Sequence, residues 1–141
     1  MLKKVFSFAF IIVFAVAALS VLKFANGSSP LYAFSDVLEV YTLPGSFRGG
    51  ITVNKSEYPF VKNRTGESCV IKTGEEDAFR IAEKLRGEIL FTERTENGVS
   101  YYGYSAKVKY REVLRGKEIN FQIFIGDGAV KAGIPLIYGD F

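Results

Sequence analysis

The stretch TGEEDAFRIAEKLRGEILFTERTENGVSYYGY, residues 73–104, decides the fold, because two periodicities meet inside it. Up to Gly87 the apolar residues Ala78, Ile81, Ala82 and Leu85 recur at i, i+3, i+4 and i+7, which places them on one face of an α-helix. Thr73 and Glu76 have the spacing of a capping box, in which each side chain satisfies an unpaired amide of the first turn. Glu75, Glu76 and Asp77 suit the positive end of the helix dipole, and Gly87 suits a C-terminal stop. The spacing predicts a helix over residues 74–86. Past Gly87 the pattern becomes β: residues 88–92 and 99–104 are rich in β-branched and aromatic side chains, and Asn97-Gly98 between them is a strong hairpin signal.

Outward from this core, residues 69–71 (Cys-Val-Ile) read as the strand before the helix and residues 37–41 as a first short strand. Between them, residues 44–66 have no clear period; they read as a long loop with a possible strand at 50–53 and an aromatic plug at Tyr58-Pro59-Phe60. After the hairpin, Tyr110 to Leu114 meets Glu118 to Ile125 across Arg115-Gly116-Lys117, and Gly126-Asp127-Gly128 turns into a last run, Ala129 to Tyr138. Pro135 has no N–H for a ladder, so this run is expected at a sheet edge or through a bulge, and its apolar end is expected to be docked. The order β-α-β-β-β-β-β predicts an α+β domain, one helix packed on a mostly antiparallel sheet of five to six strands.

Ahead of this domain, Val5 to Leu22 are 18 residues without charge or proline, apolar on every side apart from Ser7 and Ser20. As a helix they would span roughly 27 Å, about the thickness of a bilayer core. Lys3 and Lys4 precede the run and are expected to stay cytoplasmic, which sends the rest of the chain across. A cleavable signal segment fits the same start, with small-x-small pairs at Ala18/Ser20 and Ala25/Gly27. No cysteine ends the run, so lipid attachment there is excluded. The expected organisation is a membrane anchor or signal segment over 1–22, a linker over 23–35, and an extracytoplasmic domain over 36–141. The chain is thus single-pass with its N-terminus inside, or secreted or periplasmic after cleavage.

Composition removes several function classes. Histidine is absent and Cys69 is the sole cysteine, so no Ser-His or Cys-His pair, no His-ligated zinc and no internal disulfide can form. No metal or cofactor is expected. Beyond Lys3 and Lys4 the chain has 16 basic and 15 acidic residues, which argues against nucleic acid as a partner. The 119 residues after Leu22 suffice for a core without staples, since a folded chain of that size buries roughly two thirds of its unfolded surface. A disulfide-free exported domain points to a prokaryotic envelope.

The acidic run 75–77 is explained by capping, and Gly126-Asp127-Gly128 lacks the companions of a phosphate or calcium loop. Ser20 and Lys23 have a Ser-x-x-Lys spacing without the other motifs of penicillin-binding enzymes. Tyr102 and Tyr104 share one face of a strand and Tyr101 takes the other, a pattern that suits either a binding platform or ordinary sheet packing. Lys107, Lys109 and Arg111 follow at period two, as on one strand face, and suit either a solvated row or recognition of anionic groups. The candidate binding set is therefore Tyr102, Tyr104, Lys107, Lys109 and Arg111. The expected function is a non-enzymatic, tethered or exported envelope protein that binds a protein, peptide or cell-wall component. The alternatives are a small hydrolase using two of Glu88, Glu93 and Glu112, or an accessory subunit that stabilises a membrane complex.

Overall fold

In the computed structural model the described residues are 10–21, 27–42, 50–71, 78–126 and 128–138. Residues 10–21 form helix α1, and α2 is Ala78–Lys84. The strands are β1 (Val37–Tyr41), β2 (Ile51–Asn54), β3 (Gly66–Ile71), β4 (Glu88–Thr95), β5 (Gly98–Tyr104), β6 (Glu112–Leu114), β7 (Lys117–Ile119), β8 (Phe121–Gly126) and β9 (Ala129–Ile134). Two 3₁₀ turns, Pro30–Ala33 and Tyr58–Phe60, complete the order. Seven strands form one sheet in the order β2-β1-β3-β9-β8-β5-β4, with every pair antiparallel, while β6 and β7 make a separate two-stranded ribbon. The α+β class thus holds, with a sheet wider than the five to six strands expected.

Strand alternation sends Leu38 and Val40, Cys69 and Ile71, Phe121 and Ile123, and Val130, Ala132 and Ile134 to one face, where they meet Ala78, Ile81 and Ala82 of α2 and Leu85 just after it. The helical face read from spacing is therefore the buried one. The predicted capping box at Thr73 and Glu76 lies outside the described residues. At the other end the helix closes differently from expectation. Arg86, not Gly87, takes the left-handed backbone (φ 55°), while the N–H groups of Arg86 and Gly87 donate to the carbonyls of Glu83 and Ala82 at 2.8 and 2.9 Å. Gly87 is needed for space: a β-carbon there would lie 2.5 Å from the Phe121 ring and 2.7 Å from the Tyr104 carbonyl oxygen.

Two further expectations are corrected. The run Glu118 to Ile125 is not one strand, because Asn120 ends β7 and redirects the chain into β8. Its buried side chain accepts from the Ser105 N–H (2.7 Å) and donates to the carbonyls of Ser105 (2.6 Å) and Val108 (3.2 Å). The partner run is shorter too, since β6 begins at Glu112 and residues 105–111 form a loop rather than a strand. The ribbon turns through Arg115 and Gly116, both at positive φ, as a two-residue primed hairpin requires. Likewise β9 is no edge strand: it lies between β3 and β8 and ends at Ile134, so Pro135, after a cis peptide bond, falls beyond the ladder. Residues 135–138 fold back over the helix-free face. There Ile137 N–H donates to the Gln122 side chain (3.0 Å) and the Tyr41 hydroxyl donates to the Tyr138 carbonyl (2.5 Å).

Among the described residues no helix is long and apolar enough to cross a membrane. The expected span over 5–22 appears only as α1, with its large side chains exposed, and residues 5–9 and 22 lie outside the described residues.

Replacing Asn120 with alanine leaves one N–H and two carbonyls without this partner in a buried site. Urea unfolding of Asn120→Ala is expected to show a loss of about 2–4 kcal/mol, given about 1–3 kcal/mol for each buried polar group left unmade. A loss below about 0.5 kcal/mol, the range of ordinary surface changes, would show that the amide does not hold the 105–108 loop.

Candidate functional site

The five candidate residues fall into two separate groups. Tyr102 is buried on the helix-free face, its ring stacked on Phe91 (centroids 4.9 Å apart) and its hydroxyl donating to Glu93 (3.0 Å). Burial first and Glu93 second push its phenol pKa up. Arg111 lies 5.5 Å from the Tyr104 ring and pairs with Glu118 at 2.8 Å. Arg115 pairs with Glu93, and both Arg115 and Lys117 approach the Phe91 ring at 5.8 Å. This array satisfies its own rings and charges, so Tyr102 offers no open platform. Tyr101 points the other way and meets Phe79 of α2 edge-on at 6.2 Å.

Lys107 and Lys109 are elsewhere, on the loop that Asn120 pins. Both are exposed, with buried Val108 between them as the anchor. They line a cavity of about 270 Å³ whose far wall is residues 27–30 and whose floor includes Tyr58 and Glu67. A second hollow of about 370 Å³, lined by Val61, Lys62 and Asn63, shares Arg64, Lys109 and Tyr110 with the first. The two adjoin as a cleft, and among the described residues four cations line it: Lys62 and Arg64 from the turn before β3, and Lys107 and Lys109 from the loop after β5. Asn63 at φ 55° makes that turn, a conformation asparagine tolerates better than most residues.

The floor is built around Glu67, which is only 2% exposed. Its two carboxylate oxygens accept from the Ser29 hydroxyl and from the Tyr58 hydroxyl, the latter at 2.5 Å. Ser29 also caps the first 3₁₀ turn by accepting from Leu31 N–H at 3.0 Å, so one carboxylate ties the end of the linker and the residue 58 turn to a central strand. Arg64 lies 4.1 Å above the Tyr58 ring and donates to the Tyr58 carbonyl at 2.6 Å. Burial raises the Glu67 pKa against the hydrogen bonds of Ser29 and Tyr58 and the charge of Arg64, which lower it. Burial and the Glu67 charge likewise raise the Tyr58 phenol, and a neighbouring ring, Tyr32, is pushed up to about 12 by the same two causes.

Sequence reasoning missed Lys62, Arg64, Glu67 and Ser29. A signal for Glu67 existed: it has the inward parity of Cys69 and Ile71, where a carboxylate must be hydrogen-bonded or neutral.

A larger groove of about 670 Å³ lies on the opposite face, where Glu39, Ser68, Val70 and Lys131 line it with Ile137 and Tyr138. Cys69 is buried beneath it, with burial and then Glu67 pushing its thiol up to about 12, far from a reactive thiolate. Glu88 and Glu93 lie on edge strand β4 and Glu112 on the ribbon, and none of them lines these cavities. Among the described residues no group of three or more acidic or cysteine side chains could hold a metal ion.

The raised pKa of Glu67 has a definite pH signature. Its ordinary value is 4.5; between that and the higher folded-state value the folded chain holds a proton that the unfolded chain has released. This contribution to stability is complete below pH 4.5 and is lost as the pH rises through the folded value. Urea unfolding across this range should therefore show Glu67→Gln gaining stability relative to the wild type as the pH rises from about 4 to about 7. A constant difference would mean that the carboxyl titrates normally despite its burial. No protein-family model, no curated protein and no solved structure matches this chain, so only its own side chains bear on what the cleft takes.

Proposed function

We propose that this chain is a non-enzymatic envelope protein whose cleft between residues 62–64 and 107–110 binds an anionic group of a protein, peptide or cell-wall component. The observation that carries this reading is the charge of the cleft walls: Lys62, Arg64, Lys107 and Lys109 line it, and among the described residues Glu67, buried and bonded to two hydroxyls, is the only acid that does. Cations gathered around a buried, hydrogen-bonded floor favour carboxylate, sulfate or phosphate groups. Tyr110, shared by both hollows and packed against the core, gives the cleft an apolar shoulder on which a sugar or side chain can rest.

The reading also places the domain outside the cytoplasm, with residues 5–22 as its anchor or as a leader removed on export. Support comes from α1, where the Ser20 hydroxyl bonds the Val16 carbonyl at 2.8 Å and so needs no water. The hydrolase alternative has less behind it, since Glu88, Glu93 and Glu112 line none of the three hollows described.

Two measurements test this reading. The affinity for a fluorescent polyglutamate probe at low salt should fall at least about tenfold in the double variant Lys107→Ala/Lys109→Ala, at roughly 1 kcal/mol for each charge removed. The surface variant Lys117→Ala should bind as the wild type does, and equal affinity in all three proteins would end the anion-binding reading. Expression with its own leader in a bacterial host, followed by fractionation and intact mass, should find the chain in the membrane or, shortened, in the exported fraction. An intact chain in the cytosol would overturn the localisation.

A further inference from the structure

We infer that the anionic group taken by this cleft is the phosphate of acidic phospholipid headgroups in the membrane that the N-terminal segment reaches. This rests on the anion-binding and membrane-anchor readings above and adds the identity of the ligand. The argument is one of chain length. The last described residue of α1 is Val21 and the wall of the cleft begins at Gly27, so at most six peptide links lie between helix and cleft. Fully extended, six residues reach at most about 22 Å. A domain tied that closely to a membrane-embedded helix cannot carry its cleft far from the headgroup layer, whatever its orientation.

The linker enters the cleft itself. Ser29 is both the cap of the first 3₁₀ turn and a hydrogen-bond donor to Glu67, so the point where the chain arrives from α1 is fastened to the cleft floor. Arg64, Lys107 and Lys109 therefore line the same hollow as residues 27–30, where the tether leaves the domain, and Lys62 lines the adjoining one. The exposed lysines 62, 107 and 109 are compact charges on flexible stems, which suit phosphate oxygens presented by a mobile surface. By contrast the neighbouring array of Arg111, Arg115 and Lys117 is occupied by Glu118, Glu93 and the Leu90 carbonyl.

The test uses the full chain, purified in detergent and reconstituted into nanodiscs of phosphatidylcholine alone or with about a third phosphatidylglycerol. The readout is the rate of amine acylation at each lysine, followed by mass spectrometry. In the anionic discs Lys62, Lys107 and Lys109 should react several-fold more slowly than in the neutral discs, while Lys117 reacts equally in both. The protection should vanish at about 1 M salt, where screening acts within roughly 3 Å. In Lys107→Ala/Lys109→Ala the protection of Lys62 should also diminish, as expected of a shared headgroup. Equal rates in both discs would overturn the inference. Polyglutamate added to the neutral discs then separates the two readings: protection by the peptide would leave anion binding standing with a soluble ligand, and no protection would remove both.

Discussion

Asn120 is the point on which the arrangement turns. A fully buried amide in the chain between ribbon and sheet costs stability unless its hydrogen-bonding capacity is met, and here it is met by the backbone of one loop, at Ser105 and Val108. Ser105 in turn donates its hydroxyl to the Leu85 carbonyl at the end of α2 (2.7 Å). Next in sequence, Phe121 presses its ring against Gly87 and Gly103, where no side chain would fit. Helix end, strand end and loop are thus locked through two adjacent residues. The loop so held carries Lys107 and Lys109, so the position of these exposed charges is determined by a buried amide.

Glu67 plays the corresponding part on the other wall. A carboxylate on the inward face of a central strand is tolerable when its oxygens are occupied, and Ser29 and Tyr58 occupy them. The result reaches beyond one side chain: the linker, the turn at residue 58 and strand β3 are drawn to one point, and Arg64, held over the Tyr58 ring, inherits its place from them. Both walls of the cleft are positioned by buried polar groups while the hydrophobic core lies to one side. An apolar core tolerates repacking, whereas a buried hydrogen-bonded group demands its partners in one geometry, which gives the cleft a defined shape.

What was legible in the sequence was the part governed by local period. Residues 37–41 emerged as the strand expected, and the buried face of α2 is the one its spacing named. The Asn97-Gly98 hairpin is present, although its glycine acts differently from the usual account. Neither Glu96 nor Asn97 takes a positive φ, and Gly98 already belongs to β5, where a β-carbon would lie 2.8 Å from the Gly126 Cα. What was illegible depends on contacts distant in sequence. Nothing local says that Asn120 interrupts a β run, because its partners lie 12 and 15 residues back. Nor does the period-two row Lys107, Lys109, Arg111 reveal that it lies in a loop, since the alternation comes from anchoring by Val108 and Tyr110 rather than from a pleat. The site was half visible for the same reason: two of its lysines stand in a readable pattern, while Lys62 and Arg64 come from a stretch without period.

Overall charge hid the cleft as well. With 16 basic and 15 acidic residues after Lys4, the composition argues against a broad basic face, and it was read as neutrality. Neutral composition constrains only the sum. Here Arg111 and Arg115 are cancelled locally by Glu118 and Glu93, an exchange that contributes little to stability at a solvated surface. Lys62, Arg64, Lys107 and Lys109 converge on one cleft whose single acid among the described residues is turned inward to two hydroxyls. A small domain can therefore carry a strongly cationic site within an unremarkable net charge, provided its acids are spent on pairing elsewhere and the fold brings the other cations together.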